Sequence, residues 1–554
     1  MTDIFRKGIS QLFKRQTNIL SAAYIIMMTV IMSQILGLVV KRLLVSIFGA
    51  SNTLGIYNYA SILPDTIFQL TIASALASAF IPVFSDYLVK GKEKEGHKMA
   101  STLLSAGLVI FLILSILLSI FAPASLGIFN LDSNFSSADM ILMTNLMRII
   151  IFGQMLFIIG TFFTALLQSY NHFFIPGIAA ALYNLGIIVG IAIFHPFLGI
   201  YSAPVGVILG GLIFILCQIP LARKLGFSFK PSLSYLKSEG IQKILHLMWP
   251  RTIQVSIQQA GTISIAAIIA FMVDPGRMHL LFDYAKVIMF APVSLIGFSI
   301  AQASFPILSR EKNNLEQFKM TFLTSLKQML YLILPISAII LVLRIPIVRL
   351  LYGADMFDWE ATVLTGRTLA FLSLSIFAQG LIVLFYRAFY ALHNSLVPLI
   401  SSAFSTITLM FLGYILVVLN HQGIESIALA FSVSNIVQLI ILFFLLNRKV
   451  GGFEKRPLLL SLTKFSIATI LTGFALYIPI KLLDQLVFDT TRTINLIMLT
   501  GISSFAGLSL YLFLTWFLNI HEARTYIEIC KNIGNWRDIL KKSDEVIDPN
   551  RTTT

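Results

Sequence analysis

The chain is 554 residues long, and 57% of its residues are hydrophobic whereas only 12% are charged. Soluble proteins carry about 25% charged residues, so this composition excludes a soluble globular protein and indicates one built for lipid. The formal net charge of +15 does not indicate a nucleic-acid partner, because the basic residues lie mainly in loops and tails, where they match anionic membrane lipids.

The N-terminal stretch combines apolar and basic side chains at helical spacing. For residues 1–20 we expect a short amphipathic helix that lies on the membrane surface. Fourteen apolar segments follow, each long enough to cross a hydrocarbon core about 30 Å thick. They lie near residues 21–47, 54–88, 98–122, 138–169, 173–194, 200–222, 244–273, 278–308, 319–344, 362–391, 396–419, 424–446, 460–483 and 494–518. Residues 519–554 are expected to form a second amphipathic helix and a cytoplasmic tail.

Basic loops alternate with loops that are poor in lysine and arginine. Lys92 and Lys94 follow the second segment and Arg223 and Lys224 follow the sixth, whereas residues 131–139 contain no basic residue. Cytoplasmic loops carry an excess of basic residues. Because an even number of segments places both ends of the chain on one side, we expect both termini in the cytoplasm.

Two stretches of the chain recur at a nearly constant offset. AFIPVFSDY (79–87) returns as SFPILSREK (304–312), and FFTALLQSYNHFFIPGIAAAL (162–182) resembles FYRAFYALHNSLVPLISSAF (385–404). Copies that are separated by an even number of segments have the same orientation in the membrane.

This repeat predicts the domain organisation. We expect an all-α integral membrane fold of about 14 transmembrane helices, in which two parallel-repeat lobes surround a central cavity. The N-lobe is predicted at 21–223 and the C-lobe at 244–450. The two extra segments, within 456–518, stand outside the repeat.

Four polar residues interrupt the first two apolar segments: Gln34, Lys41, Arg42 and Asp65. An ionisable group inside a span costs about 2.5–3.5 kcal/mol, so it usually faces a bundle interior or a wet cavity. Gln34 and Lys41 are two helical turns apart and therefore share a face. The alternative is that Lys41 and Arg42 lie near a helix end and extend to the headgroups. The small residues of ASALASAF (73–80) would let a neighbouring helix approach closely.

Further charged residues lie in the later segments: Arg148, Arg251, Asp283, Lys286 and Arg387. Cations outnumber acids in the whole set, which favours an anionic substrate such as a phosphate or pyrophosphate headgroup. The alternative is that Arg148, Arg251 and Arg387 lie near cytoplasmic ends and only obey the topology rule. Lys286 does not fit that alternative, because its segment FDYAK repeats YNYAS of the first half.

Sequence motifs of enzymes are missing from the chain. There is no HExxH, no P-loop, no GxSxG and no cluster of metal ligands. Cys217 and Cys530 lie far apart, so neither a disulfide nor a metal site is predicted. We expect a protein that is not an enzyme and that needs no cofactor.

Several of these segments resemble one known family. SQILGLVVK (33–41), IFGAS (47–51), ILPDTIF (62–68), SAFIPVFSDY (78–87) and FPILS (305–309) resemble the MurJ-type lipid II flippases of the multidrug/oligosaccharidyl-lipid/polysaccharide (MOP) exporter superfamily. The resemblance implies a bacterial inner-membrane protein whose lobes alternate access around a cationic cavity. It also implies that the last two segments form a groove for the undecaprenyl tail. The implied substrate is the lipid-linked peptidoglycan precursor, moved from the cytoplasmic to the outer leaflet.

The chain departs from this family at charged positions. Where the family has arginine after the opening serine, and an arginine followed by an acid after the glycine, this chain has Gln34, Val40 and Lys41. Where the family has Tyr-Ala-Asp-Arg, the last two residues are Lys286 and Val287. The cavity thus keeps positive charge but loses the bidentate geometry of guanidinium. The predicted substrate-binding residues are Gln34, Lys41, Arg42, Asp65, Arg251 and Lys286.

These features favour a flippase for lipid II, with the anionic lipid-linked glycan and membrane lipids as its partners. A related exporter of another undecaprenyl-pyrophosphate-linked oligosaccharide would share them. A drug/cation antiporter of the same superfamily should need carboxylates that bind sodium or protons, and Asp65 alone qualifies. A membrane scaffold has no reason to retain polar residues within its spans. Coupling to an ion gradient or to the membrane potential stays open.

Overall fold

The computed structural model describes residues 19–73, 79–127, 135–354, 356–486, 493–520 and 522–523. Every regular element in these ranges is helical, and no strand occurs among them. The predicted all-helical fold class is therefore confirmed. The surface helices predicted at 1–20 and 519–554 lie almost wholly outside the described residues, as does most of the small-residue run at 73–80.

The chain divides into two compact units, which meet in sequence between Gln259 and Ala260. Unit 1, the part up to Gln259, contains eight helices and the first part of a ninth among its described residues. These are α1 (Ile19–Phe48), α2 (Asn52–Phe68), α3 (Ile81–Val89), α4 (Glu93–Ile120), α5 (Ala122–Leu126), α6 (Ser137–Ser169), α7 (Phe174–Leu198), α8 (Ser202–Lys224) and α9 (Glu239–Ile269).

Unit 2, the part from Ala260 onward, contains the end of α9 and ten further helices among its described residues. These are α10 (Pro275–Pro292), α11 (Phe298–Arg310), α12 (Leu315–Val342), α13 (Arg344–Tyr352), α14 (Trp359–Ser373), α15 (Ile376–Ala391), α16 (Leu396–Gly413), α17 (Ile424–Lys449), α18 (Lys455–Leu486) and α19 (Thr493–Phe517). Each unit is thus a bundle of apolar helices with its own set of elements.

The helix boundaries of unit 1 return in unit 2 at a constant spacing along the chain. Helix α4 spans Glu93–Ile120, and α12 spans Leu315–Val342. Helix α6 begins at Ser137 and α14 at Trp359, and the starts of α7 and α8 correspond in the same way to those of α16 and α17. Each unit therefore follows the same succession of helices.

Helix starts at corresponding positions are capped by side chains. The Ser136 hydroxyl accepts a hydrogen bond from the backbone N–H of Asp139 at the start of α6. At the corresponding start of α14, Asp358 accepts one from the N–H of Ala361. A capping side chain pairs with an N–H that the first helical turn leaves without a partner. These caps explain why both helices begin where they do.

The copies differ where unit 1 has one long helix and unit 2 has two. Helix α6 runs without a break over 33 residues, whereas α14 and α15 meet at a bend of 44°. At the bend, the hydroxyls of Ser373 and Ser375 donate to the carbonyls of Ala370 and Leu372. Serine side chains that bond nearby carbonyls compete with the backbone and bend helices, which accounts for the break.

Helices α7 and α8 pack against each other through two pairs of glycines. A Cβ atom added to Gly190 would lie 2.4 Å from the Cα of Gly206, and one added to Gly186 would lie 2.5 Å from the Cα of Gly210. Glycines four residues apart share one face of a helix, and small residues let membrane helices approach closely. The backbones of α7 and α8 are therefore in direct contact along this glycine seam (Gly186, Gly190, Gly206 and Gly210).

The described residues include 11 helices that are long and apolar enough to cross a membrane, or up to 12 if the bent pair α14–α15 counts as one span. The predicted count of 14 is not confirmed. The apolar run Phe174–Lys224 is counted as a single stretch of 51 residues, although a 3-10 turn at Gly199–Tyr201 separates α7 from α8. The second predicted segment, 54–88, includes the undescribed residues 74–78.

Candidate functional site

The first predicted polar residues lie along α1 in unit 1. Lys41 is half-buried, whereas Gln34 and Arg42 are exposed at the surface of the protein. Asn184 on α7 donates to both the carbonyl and the hydroxyl oxygen of Ser33, at 3.1 Å each. This amide fixes α1 against α7 at the residue that opens the SQILG segment. Asn184 is not among the residues predicted for the site.

Asp65 lies half-buried on α2 and forms the centre of a polar cluster within unit 1. Its carboxylate accepts a hydrogen bond from the side-chain amide of Gln154 on α6. Asp65 also interacts electrostatically with the phenols of Tyr57 and Tyr183. The amide oxygen of Gln154 is buried and has no hydrogen-bond partner among the described residues, so the cluster retains an acceptor.

Arg251 and Arg148 lie at helix positions where their guanidinium groups support local structure. Arg251 is exposed on α9, and its Nη1 donates to Gln254 Oε1 at 3.4 Å. Arg148 on α6 donates from Nε and Nη2 to the carbonyl of Ser119, at 3.4 and 3.3 Å. Ser119 lies at the end of α4 that leads toward residues 131–139, so Arg148 is not at the basic end where the alternative interpretation placed it.

Lys286 lies half-buried on α10 within unit 2. Its Nζ atom lies 6.0 Å from the centroid of the Phe431 ring on α17, a distance at which a cation is attracted to the ring face. The neighbouring residue Tyr284 is buried, and its carbonyl accepts a hydrogen bond from the phenol of Tyr352 at 3.3 Å. These contacts hold the lysine-bearing part of α10 within unit 2.

Arg387, which was the last charge noted in the sequence, joins α15 to α11. Its Nη2 donates to Gln302 Oε1 at 2.8 Å, and its guanidinium carbon lies 5.3 Å from the centroid of the Phe305 ring. Both contacts lie inside unit 2. They give Arg387 a clear role in packing two helices together.

An apolar groove of about 580 Å³ lies in unit 2 between α12, the α14–α15 bend and α18. Its walls are mainly aliphatic and aromatic, and include Leu334, Leu341, Phe377, Ile470, Phe474 and Tyr477. Helix α19 supports α18 from behind, because a Cβ atom on Gly507 would lie 2.4 Å from the Leu476 side chain. Lys464 also ties α18 to the carbonyl of Leu518, just beyond α19, at 2.7 Å.

Metal ligands do not gather anywhere in the part of the chain that the structure describes. No group of three or more His, Cys, Asp or Glu side chains there could hold a metal ion.

The helical architecture defines the class of protein. The fold matches a solved structure named "Lipid II flippase MurJ, inward closed conformation" with a TM-score of 0.73 and 21% sequence identity, covering 89% of this chain and 98% of that chain. It also matches an inward-facing multidrug resistance MATE family transporter of the MOP superfamily with a TM-score of 0.64 and 16% identity, over 76% of this chain and 94% of that chain. The chain therefore has the fold of a MOP-superfamily transporter.

Sequence comparison identifies the family within this class. The family model described as lipid II flippase MurJ matches residues 44–496, so the chain belongs to the MurJ lipid II flippase family. A probable lipid II flippase MurJ of Buchnera aphidicola subsp. Acyrthosiphon pisum is 25% identical, over 91% of this chain and 98% of its own length. The corresponding Borreliella burgdorferi protein is 23% identical, over 87% of this chain and 93% of its own length. The family resemblance noted in the sequence is confirmed.

Proposed function

We propose that this protein is a flippase of the bacterial inner membrane that moves lipid II from the cytoplasmic to the outer leaflet. The observation that carries this proposal is the lipid II flippase family match over residues 44–496. Alternating access by the two units is the mechanism that we infer. The repeated helix boundaries support two repeats of the same orientation. The apolar segments and the basic loops of the sequence are the grounds on which we infer fourteen spans and two cytoplasmic termini.

The headgroup end of the substrate is the part that cations would hold. We infer that Lys41 of unit 1 and Lys286 of unit 2 each contact the diphosphate during transport. Both are half-buried. A phosphate that reaches either ammonium group therefore displaces little water when it forms the charge-assisted contact. Arg42 and Arg251 are exposed and would add to the positive field, and Gln34 would offer a neutral hydrogen bond.

The lipid end of the substrate needs an apolar surface that stays open to the membrane. We infer that the groove between α12, the α14–α15 bend and α18 takes part of the undecaprenyl tail. The aliphatic and aromatic lining of this groove supports the inference, because burial of each CH₂ group contributes about 0.8 kcal/mol. Helices α18 and α19 thus have a substrate-binding role in the proposal.

A drug/cation antiporter is the second candidate, and one observation favours it. Asp65 is a half-buried carboxylate bound by an amide, and a MATE transporter shares the fold. In the flippase proposal, the same carboxylate is the candidate for coupling transport to an ion gradient. An exporter of another lipid-linked oligosaccharide differs from the flippase only in the sugar that it accepts.

The test is transport by the purified full chain in lipid vesicles. Fluorescent lipid II is placed in the inner leaflet, and its appearance in the outer leaflet is followed with and without ion gradients. We expect lipid II to move, and an undecaprenyl-pyrophosphate oligosaccharide of different sugar to move more slowly. Equal rates for both lipids would favour the general exporter, and export of organic cations without lipid movement would favour the antiporter.

A further inference from the structure

A polar pocket lies in unit 1, away from the polar residues of α1 and α2 discussed above. It is a cavity of about 460 Å³ between the first turns of α4 and the segment 226–235 that follows α8. This is the end of unit 1 where the basic loops lie. The proposed flippase mechanism uses none of its residues.

The lining of this pocket is strongly basic. Lys94 and Lys98 on α4 face Lys230 of the following segment, and no carboxylate occurs among the described residues that line the cavity. The nearby acid Glu93 accepts a hydrogen bond from the Tyr170 phenol, and its carboxylate lies 3.9 Å from Nε2 of His97, which lines the pocket. All three lysines are exposed, so water and salt weaken their mutual repulsion, and an anion that enters the cavity meets three ammonium groups.

The pocket also contains a buried hydroxyl that the fold does not use. Thr102 is 1% exposed, lines the cavity, and its Oγ1 has no hydrogen-bond partner among the described residues. Other threonines inside these helices, such as Thr66 and Thr161, donate to the carbonyl four residues earlier. A buried polar group without a partner costs about 1–3 kcal/mol. The Oγ1 atom of Thr102 has less than 1 Å² of accessible surface, so a ligand in the cavity reaches this hydroxyl only if the Thr102 side chain rotates.

The opposite wall is held in place by hydrogen bonds that keep the pocket open. The backbone N–H of Ser232 donates to the hydroxyl of Ser105 on α4 at 3.2 Å, and the hydroxyls of Ser232 and Ser234 lie 2.7 Å apart. The ammonium of Lys98 lies 5.6 Å from the centroid of the Tyr235 ring. The segment therefore presents hydroxyl groups on a fixed frame, and its Tyr235 ring contacts the Lys98 ammonium of α4.

We propose that this pocket binds the phosphate group of a phosphorylated ligand. Lysine is a strong phosphate partner as a point charge, and hydroxyls donate to the remaining oxygens. The ligand is either an anionic phospholipid headgroup or a soluble phosphate compound, since both present the same group. The site is separate from the transport pathway proposed above, so either proposal can fail alone.

Two binding measurements on the full-length protein distinguish the two sources. In nanodiscs of phosphatidylcholine, inorganic phosphate is titrated calorimetrically. In nanodiscs that contain phosphatidylglycerol, native mass spectrometry counts the anionic lipids that the protein retains. We expect at least one of these probes to bind in the wild type.

Variants assign the binding to the pocket. We expect Lys98→Gln and Lys230→Gln each to weaken binding roughly tenfold or more. The matched control is Lys90→Gln, which changes an exposed lysine outside the lining and should leave binding unchanged. Thermal unfolding confirms that each variant is folded. The proposal is overturned if neither probe binds, or if the Lys90 and Lys98 variants bind equally well.

Discussion

In unit 1, α2 carries an acid, Asp65, that is bound by an amide on α6, whereas in unit 2 α10 carries a cation, Lys286, against an aromatic ring on α17. The two helices occupy corresponding places in their units. In the matching segments YNYAS and FDYAK, Ser61 stands where unit 2 has Lys286, and its hydroxyl donates to the carbonyl of Asn58. The two helices thus correspond while their charged residues differ, since α10 also carries Asp283 where α2 has Asn58.

The contact between the fifth and sixth predicted segments of unit 1 also differs from the corresponding contact in unit 2. In unit 1, α7 and α8 meet through the glycine seam, with backbone against backbone. In unit 2, the corresponding helices α16 and α17 are joined by a hydrogen bond of 3.0 Å from Ser405 to the carbonyl of Ser434. The same order of helices can therefore be held together by different contacts. Apolar burial forms the bundle, and single residues determine how neighbouring helices contact each other.

The largest expected effect concerns Lys41 of unit 1 and Lys286 of unit 2. Replacing Lys41 or Lys286 with glutamine should lower lipid II translocation by roughly 10- to 150-fold, because each change removes a charge-assisted contact worth about 1.5–3 kcal/mol. Arginine at the same position should restore part of the rate, since phosphate accepts either cation. Translocation in vesicles and complementation of a flippase-depleted strain measure the effect. Full activity of the Lys41→Gln, Lys286→Gln double variant would rule out the cationic mechanism.

The second effect concerns Asp65, the acid of α2 in unit 1. Gln154→Leu removes the amide that donates to Asp65 and leaves the carboxylate with one partner fewer. A hydrogen bond to a charged group is worth about 1.5–3 kcal/mol, so we expect a lower thermal midpoint of unfolding. Gln69→Leu, at an exposed glutamine, is the matched control. Equal midpoints for the two variants would contradict a stabilising role of the Asp65–Gln154 bond.

The glycine seam of unit 1 gives the third prediction. Gly190→Ala places a Cβ atom against the backbone of α8 and should destabilise the protein by about 1–3 kcal/mol, as overpacking does. Gly501→Ala is the control, since nothing lies within 4 Å of a Cβ at that glycine of α19. There, alanine should be neutral or stabilise the helix by up to about 1 kcal/mol. Chemical unfolding in detergent gives the change in unfolding free energy for both variants. A change of the same sign in both would contradict the close backbone contact at the glycine seam.

The smallest effect is expected at the corresponding contact of unit 2. Ser405→Ala removes the hydroxyl that bonds the carbonyl of Ser434, and a neutral hydrogen bond contributes about 0.5–1.5 kcal/mol. The loss in unfolding free energy should therefore be smaller than that of Gly190→Ala. A larger loss would mean that the serine contact, and not apolar packing, holds α16 to α17.

Hydropathy and spacing predicted the parts of this fold that depend on burial in lipid. Apolar length located the helices, and the nearly constant offset between the two sequence copies anticipated the repeated boundaries. Asp65 and Lys286 were recognised because a charge in an apolar run is costly. Gln154 was missed since one neutral amide in such a run gives a weak signal, and its partner lies far away in the sequence. The α14–α15 bend depends on serine rotamers that no periodicity shows.

Two widened helical turns lie at corresponding places in the two units. A π-helical turn follows α2 at Gln69–Ala73, and another follows α10, the corresponding helix of unit 2, at Val293–Gly297. Such turns are rare and are frequent at functional sites, and the two sequences, QLTIA and VSLIG, share little. The widened turn is therefore a property of the repeated helix and not of one local sequence. The π turn at Tyr414–Leu419 has no counterpart in α7, so that irregularity distinguishes unit 2 from unit 1.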